Sequence, residues 1–263
     1  GLHEIGVALL VRGTAVDAEP VLLRALELRR RLLGAEHPEV GATNNWLGNV
    51  QYALGRTEPA IAYYRQALAI RERSLPADHP DIASTLSNLG LALGSAAKFA
   101  EALALQERAL AIRRRVMADD HPDVAASFNN LGDSLAALGR HAEARARFQD
   151  ALDRWERSLG PDHQALAFAL YGLGRSLHAE GSAEAALAPL ERAVALRKPG
   201  EIAANSRSAA LLALADALWD ARPPERARAR ALATEAATLL AEMPSARAEV
   251  EAWLAGHPVP EPN

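Results

Sequence analysis

"PADHPDIASTLSNLG", residues 76–90, sets His79 close to the carboxylates of Asp78 and Asp81. Taken alone, an imidazole among carboxylates suits a metal or acid/base site. The rest of the chain points elsewhere, because His37, His79, His121 and His163 recur at intervals of 42 residues, as do Gly48, Gly90, Gly132 and Gly174. The same interval relates Leu47, Leu89, Leu131 and Leu173, and again Ala60, Ala102, Ala144 and Ala186, and Ala67, Ala109, Ala151 and Ala193. Self-similarity at a fixed period of this length marks a repeat architecture.

Each unit holds two helical patterns. Phe128, Leu131, Gly132 and Leu135 fall at i, i+3, i+4 and i+7, one stripe of an α-helix. Gly139 is placed to end that helix. The next stretch, "RHAEARARFQDALDRWERSL", puts Ala144, Phe148, Ala151 and Leu152 on one face and charge on the other. The unit is therefore helix, turn, helix. Small residues such as Gly132 and Ala144 let the two helices approach closely, and that packing has to offset the roughly 0.5–1 kcal/mol that a helical glycine costs.

His-Pro-Asp now reads as a helix start. Proline is favoured at the first helical position, and it pushes the preceding residue out of the α region. The acid that follows, Glu39, Asp81 or Asp123, lies near exposed amides, where negative charge is favourable by about 0.3–1 kcal/mol. Equivalent histidines of stacked helix pairs stand on the order of 15–20 Å apart, whereas zinc holds its ligands at about 2 Å. No metal site is expected.

Composition narrows the function. With 263 residues, 49% of them hydrophobic, the chain has material for a continuous core. It contains no cysteine, which removes thiolate chemistry and is compatible with a reducing, cytoplasmic setting. A net charge of -4 supplies no field for nucleic acid or an anionic membrane. No apolar run reaches the roughly 20 residues of a membrane span, and "GLHEIGVALLVRG" is no signal peptide, so the chain reads as soluble. "GLALGSAAK" at 90–98 lacks the Gly-Lys-Ser/Thr of a phosphate loop, and HExxH, GxSxG, HRD and DFG are absent. No catalytic residue and no cofactor are expected. His141 and His178 are expected to be solvated side chains beside turns or helix ends.

Leu47-Gly48, Ala60, Tyr64 and Ala67, and again Leu131-Gly132, Ala144, Phe148 and Ala151, resemble the tetratricopeptide repeat. The 42-residue period, with "ALAIRERSLPADHPDIASTLSNLG", is similar to its kinesin-light-chain-like subclass. The resemblance implies an all-α fold, a right-handed superhelical α-solenoid of stacked helix pairs with a C-terminal capping helix. One solenoid is expected over 1–257: a truncated repeat at 1–33, full repeats at 34–75, 76–117, 118–159 and 160–199, a degenerate repeat at 200–243 and a capping helix at 244–257. A Pro-rich tail follows at 258–263. Gln106 and Leu190 replace the aromatic of the second helix, and the degenerate repeat is expected to bury Leu214, Ala215, Leu218 and Ala227. Val250 and Trp253 should face inward from the cap.

Ile5-Gly6 aligns with Leu47-Gly48, so residue 1 is expected to fall inside a repeat whose opening turn lies outside this sequence, in a longer polypeptide. The Ala- and Arg-rich ending is similar to the C-terminal repeat regions of large bacterial serine/threonine protein kinases, and signalling NTPases carry comparable arrays.

Stacked helix pairs present their first helices along a concave surface. On that face Asn45, Asn49 and Tyr52 align, then Ser87, Leu91 and Gly94, then Asn129, Asp133 and Ala136, then Tyr171, Arg175 and His178. In the family, the residue before Leu-Gly is commonly an asparagine that contacts an extended peptide. The resemblance carries this role to Asn88 and Asn130, while Trp46 and Gly172 interrupt it. Trp46, Tyr52, Phe168 and Tyr171 offer apolar anchors. Arg113, Arg114, Arg115 and "RARAR" at 226–230 are expected on solvated outer faces. The expected partner is a protein or peptide, held by the regulatory or recruitment part of a bacterial signalling protein. The alternatives are self-association of the parent protein through an uncapped N-terminal end, or the sensor array of a signalling NTPase.

Overall fold

In the computed structural model three of the four repeat histidines, His37, His79 and His121, are helix N-caps. The Nδ1 atoms of His37, His79 and His121 accept hydrogen bonds from the backbone N–H of Glu39, Asp81 and Asp123 at 3.1–3.2 Å. Pro38, Pro80 and Pro122 open the helices that follow. Where glutamine replaces proline, His163 still accepts from Ala165, at 3.1 Å, but the next helix begins only at Leu166. The imidazole thus satisfies one of the donors a helix start leaves unpaired, a contribution of about 1 kcal/mol for a side-chain cap.

The structure describes residues 1–198 and 204–258. These residues form thirteen α-helices and no strand. The boundary expected at 199/200 and residues 259–263 of the expected tail lie outside them. The chain divides into two compact units, Gly1–Asp119 and Asp120–Asn263. The first contains α1 (Leu2–Val11), α2 (Ala15–Leu33), α3 (Pro38–Ala53), α4 (Thr57–Ser74), α5 (Pro80–Ser95) and α6 (Phe99–Val116). The second contains α7 (Pro122–Ala137), α8 (His141–Leu159), α9 (Leu166–Ala179), α10 (Ala183–Leu196), α11 (Ala204–Ala221), α12 (Arg226–Leu239) and α13 (Pro244–Gly256). Within each unit every helix packs on the next, and the first helices of successive pairs also touch: α1 with α3 and α3 with α5, then α7 with α9 and α9 with α11.

The registered glycines make room for one large side chain each, sixteen residues further on. A Cβ added to Gly48 would stand 2.4 Å from the Tyr64 ring, to Gly132 2.6 Å from the Phe148 ring, and to Gly174 2.4 Å from Leu190. Such distances are closer than carbon atoms can pack, so Gly is required wherever the second helix leans in. Ala60, Ala102, Ala144 and Ala186 are wholly buried at the same crossing.

A second periodic device was not read from the sequence. Arg29 donates to the Glu39 carbonyl at 3.1 Å and to Thr43 Oγ1 at 2.8 Å, and Arg71, 42 residues on, does the same with the Asp81 carbonyl at 2.9 Å and with Thr85. Each guanidinium fastens a second helix to the start of the next first helix. In the second unit Trp155 fills this position and donates to the Pro122 carbonyl at 3.2 Å, and Arg197 donates to the Ser206 carbonyl at 2.7 Å. Burial depresses the Arg71 and Arg197 guanidinium pKa values.

Two expectations change here. Arg114 and Arg115 are exposed, but Arg113 is buried and donates to Ser87 Oγ at 3.0 Å, because it lies one turn beyond Ala109 on the core stripe. In "RARAR" only part of the charge is solvated: Arg226 stacks on Trp219 and Arg230 donates to the carbonyls of Leu254 and His257. Leu214, Ala215 and Leu218 are core residues, whereas Ala227 is exposed. A 3-10 turn at Pro223–Glu225 delays the helix, so that Ala229, Ala233 and Ala236 form its buried stripe. From α13, Val250 is buried and the Trp253 indole donates to Asp216 at 2.9 Å.

The turns inside the pairs contain one strained position. Gly13, Gly55, Gly139 and Gly181 adopt positive φ, and Ala97 does so at the same point of the period with φ 57°. An L-residue pays about 1–2 kcal/mol there, offset in part by the extra freedom that glycine gives the unfolded chain, about 0.4–1 kcal/mol. Ala97→Gly should therefore stabilise the first unit by about 0.5–1 kcal/mol, measured by urea denaturation. A lower midpoint would mean that the strain is relieved by other means.

Candidate functional site

In the first unit α3 and α5 bring three amides together. Asn88 Nδ2 donates to Asn49 Oδ1 at 3.2 Å and lies 3.5 Å from Asn45 Oδ1. The Tyr64 hydroxyl donates to Asn49 Oδ1 at 2.8 Å from below, and burial pushes its phenol well above the usual tyrosine range, so it remains a donor. These bonds fix the Asn45 and Asn49 side chains so that each keeps an NH2 group without a protein partner among the described residues. Asn88 and Asn49 are half-buried and Asn45 is buried. Tyr52 is exposed, with its hydroxyl 3.0 Å from Ser95 Oγ. Trp46 is half-buried and packs on the core of this unit, while Ser87 is buried and taken up by Arg113. The arrangement leaves amide N–H donors on this face, groups that can hydrogen-bond an acceptor such as a carbonyl oxygen.

In the second unit the face is built differently. Asn129 is buried and donates to Asp133 Oδ2 at 3.1 Å, whereas its Oδ1 has no partner. Asn130 is half-buried. Asp133 is exposed, yet the protein mass around it pushes its carboxyl up to about 7, against the opposing pull of Arg175 and of the Asn129 hydrogen bond. Arg175 lies over the Tyr171 ring, 5.4 Å from its centroid, and Arg197 approaches the same ring at 4.9 Å. Phe168 is exposed.

His178 is not the solvated side chain expected. Its Nε2 stands 2.8 Å from Asp220 and its Nδ1 3.5 Å from Asp216, both supplied by α11. His141 also departs from expectation: its Nδ1 is buried without a partner, as is Ser176 Oγ. Both line a cavity of about 280 Å³ between α7 and α9, together with Asp133 and Arg175. The sequence carried a weak signal for His141, which interrupts a column that otherwise reads Thr57, Phe99 and Ala183. Ser176 gave none, since Ser134 precedes it by one period. Among the described residues no group of three or more His, Asp or Glu side chains is placed to hold a metal ion.

Comparison with known proteins agrees with this geometry. The tetratricopeptide repeat family model matches residues 1–73, 42–115, 81–154 and 123–198. No curated protein matches the sequence. Among solved structures, kinesin light chain repeats of Podosopora anserina share 24% identity and a TM-score of 0.64 over 74% of this chain and 93% of that one. BtubC (BKLC) of P. vanneervenii shares 21% identity and a TM-score of 0.68 over 95% and 96%. NprR, in complex with its cognate peptide NprX, shares 13% identity and a TM-score of 0.73 over 96% and 71%. At such identities the likeness establishes a common fold, that of kinesin-light-chain-like arrays. The 42-residue unit, the glycine that admits a neighbouring side chain and the family match lead to one conclusion: the chain belongs to the tetratricopeptide repeat family.

Proposed function

We propose that the chain is a non-enzymatic interaction scaffold that receives an extended peptide segment along the face of its first helices. The observation that carries this reading is the amide cluster of Asn45, Asn49 and Asn88, oriented from below by Tyr64. Preorganised donors of this kind bind backbone without demanding a sequence, and their order is established before the ligand arrives. That NprR was solved with a peptide supports the same use of the fold. We place the chain in the cytoplasm, as the recruitment or regulatory part of a larger bacterial signalling protein such as a serine/threonine kinase. The Ala- and Arg-rich character of its repeats supports this setting, and no described helix is long and apolar enough to cross a membrane.

Selection of a random peptide library displayed on phage tests the reading. The chain should enrich binders, and Asn88→Leu with Asn130→Leu should weaken them at least about tenfold, the equivalent of one or two lost hydrogen bonds, with helicity by circular dichroism unchanged. Equal capture by the variant would refute the assignment of the face. One observation favours self-association as a second reading: α1 exposes Leu2, Ile5 and Val11.

A further inference from the structure

A cavity of about 660 Å³ on the second unit is lined by α9, α11 and α13. At one end a hydrogen-bonded network ties the three helices together. Asp216 of α11 accepts from the Trp253 indole of α13 at 2.9 Å, and its other oxygen faces Nδ1 of His178 on α9 at 3.5 Å. Arg175, Leu212 and Glu249 stand one turn back along the same helices, three residues before His178, four before Asp216 and four before Trp253. The register therefore sets a cation, an apolar side chain and an anion side by side across the cavity that all three line.

Both charges are open to a ligand. Arg175 and Glu249 are exposed, and neither is in an ion pair among the described residues. Arg175 rests on the Tyr171 ring, 5.4 Å from its centroid with Nη1 3.5 Å from the hydroxyl, and acts on Asp133 of α7 only through space. Between the two charges Leu212 and Ala213 are half-buried, and the cavity is lined further by buried Leu190 and Val250.

This order of charges selects the ligand, because like charges brought together across an interface are costly. A uniformly cationic segment meets Arg175, and a uniformly anionic one meets Glu249 and Asp216. An apolar residue flanked by one acid and one base suits all three helices. In extended chain alternate side chains share a face, so residues i, i+2 and i+4 enter together with the outer two about 13 Å apart. The outer helices of three packed at 8–10 Å stand roughly 16–20 Å apart, and the Arg175 and Glu249 side chains span the difference from both sides.

We infer that this cavity selects partner segments in which an apolar residue lies two positions from an acid and two from a base, the acid toward α9 and the base toward α13. The inference rests on the proposed peptide-binding reading, and two measurements separate their fates. In the first, three blocked pentapeptides are titrated into the full isotope-labelled chain and followed by NMR. All carry leucine at the third position and threonine at the second and fourth, and their end residues are glutamate and lysine, two lysines, or two glutamates. The mixed peptide should shift the Arg175, Leu212 and Trp253 signals saturably and bind about fivefold more tightly than either uniform one, the worth of one exposed charge pair. Arg175→Glu should turn the preference to the two-lysine peptide and Glu249→Lys to the two-glutamate peptide, with the fold intact because both side chains are exposed. Equal binding of the three peptides, or a preference that both variants leave unchanged, overturns the pocket. In the second, the peptides enriched by the library selection should carry the acid, apolar and base pattern and lose about fivefold in affinity to Arg175→Glu. Enriched peptides that lack the pattern and bind Arg175→Glu equally remove the pocket and leave the face standing. Pattern-dependent shifts from the pentapeptides without any enriched library peptide keep the pocket and remove the face.

Discussion

Gly172→Asn destabilises the second unit by about 3 kcal/mol, the upper part of the range for overpacking a filled core. The substitution is the one the repeat itself suggests, since Asn88 and Asn130 occupy the two preceding positions of the column. The Phe148 ring forbids it. A Cβ on Gly172 would lie 2.3 Å from Cζ and 2.4 Å from Cε1 of that ring, and the ring has no retreat because Gly132 receives it at 2.6 Å. Helix propensity works the other way, by about 0.5–1 kcal/mol in favour of a side chain over glycine in general, and is too small to compensate. Urea denaturation monitored by circular dichroism measures the loss. Phe148→Leu should rescue much of it, because Leu22 and Leu190 serve at the corresponding crossings beneath Gly6 and Gly174. A double-mutant cycle then gives a coupling beyond about 1 kcal/mol. Gly94→Ala, where a Cβ meets nothing within 4 Å, is the control and should be neutral or slightly stabilising. Native stability of Gly172→Asn would show that Phe148 can move aside.

The second large effect has the opposite sign. Asn44→Leu should stabilise the first unit by about 2 kcal/mol, because unsatisfied buried polar atoms cost about 1–3 kcal/mol apiece. Asn44 is completely buried, and neither its Oδ1 nor its Nδ2 has a hydrogen-bond partner. Its column reads Leu86, Phe128 and Leu170 in the later repeats, so the position belongs to the apolar stripe of a first helix. A cavity of about 280 Å³, lined by Asn44, Ala69 and Ile70 among others, adjoins it and leaves room for the bulkier methyl groups of a side chain of the same length and branching. The denaturation midpoint should rise, and hydrogen exchange in α3 should slow. A loss of stability would mean that internal water satisfies the amide, as it does in polar cavities large enough to hold it.

The two positions mark where repeat reading succeeds and where it stops. The histidine column was legible as helix starts because N-capping is local: the Nδ1 acceptor, the proline and the acid lie within three residues. The glycine column was legible as close packing, yet which side chain enters each gap depends on a helix sixteen residues away, and that was seen only in the folded chain. Gly172 read as a missing amide. In the structure it is the second seat of Phe148, reached from the preceding repeat. The arginine fasteners were mistaken in part for solvated charge, since a basic residue on a helix declares its partner only when the next helix is in place.

The candidate face divides in the same way. Asn45, Asn49 and Asn88 could be placed together from helical spacing and the 42-residue period, both properties of the sequence. Their mutual bonds, the phenol beneath them, the buried burden on Ser87 and Asn129, and the unpaired Ser176 and His141 are matters of how side chains meet across helices.

By itself, the sequence determined the helix pair, its period, its starts and its family, because these follow from local backbone preference and from apolar stripes repeated in register. Only the tertiary structure decided which polar groups are occupied and which are open to a partner, because hydrogen bonding inside a core is settled by the positions of atoms far apart in the chain.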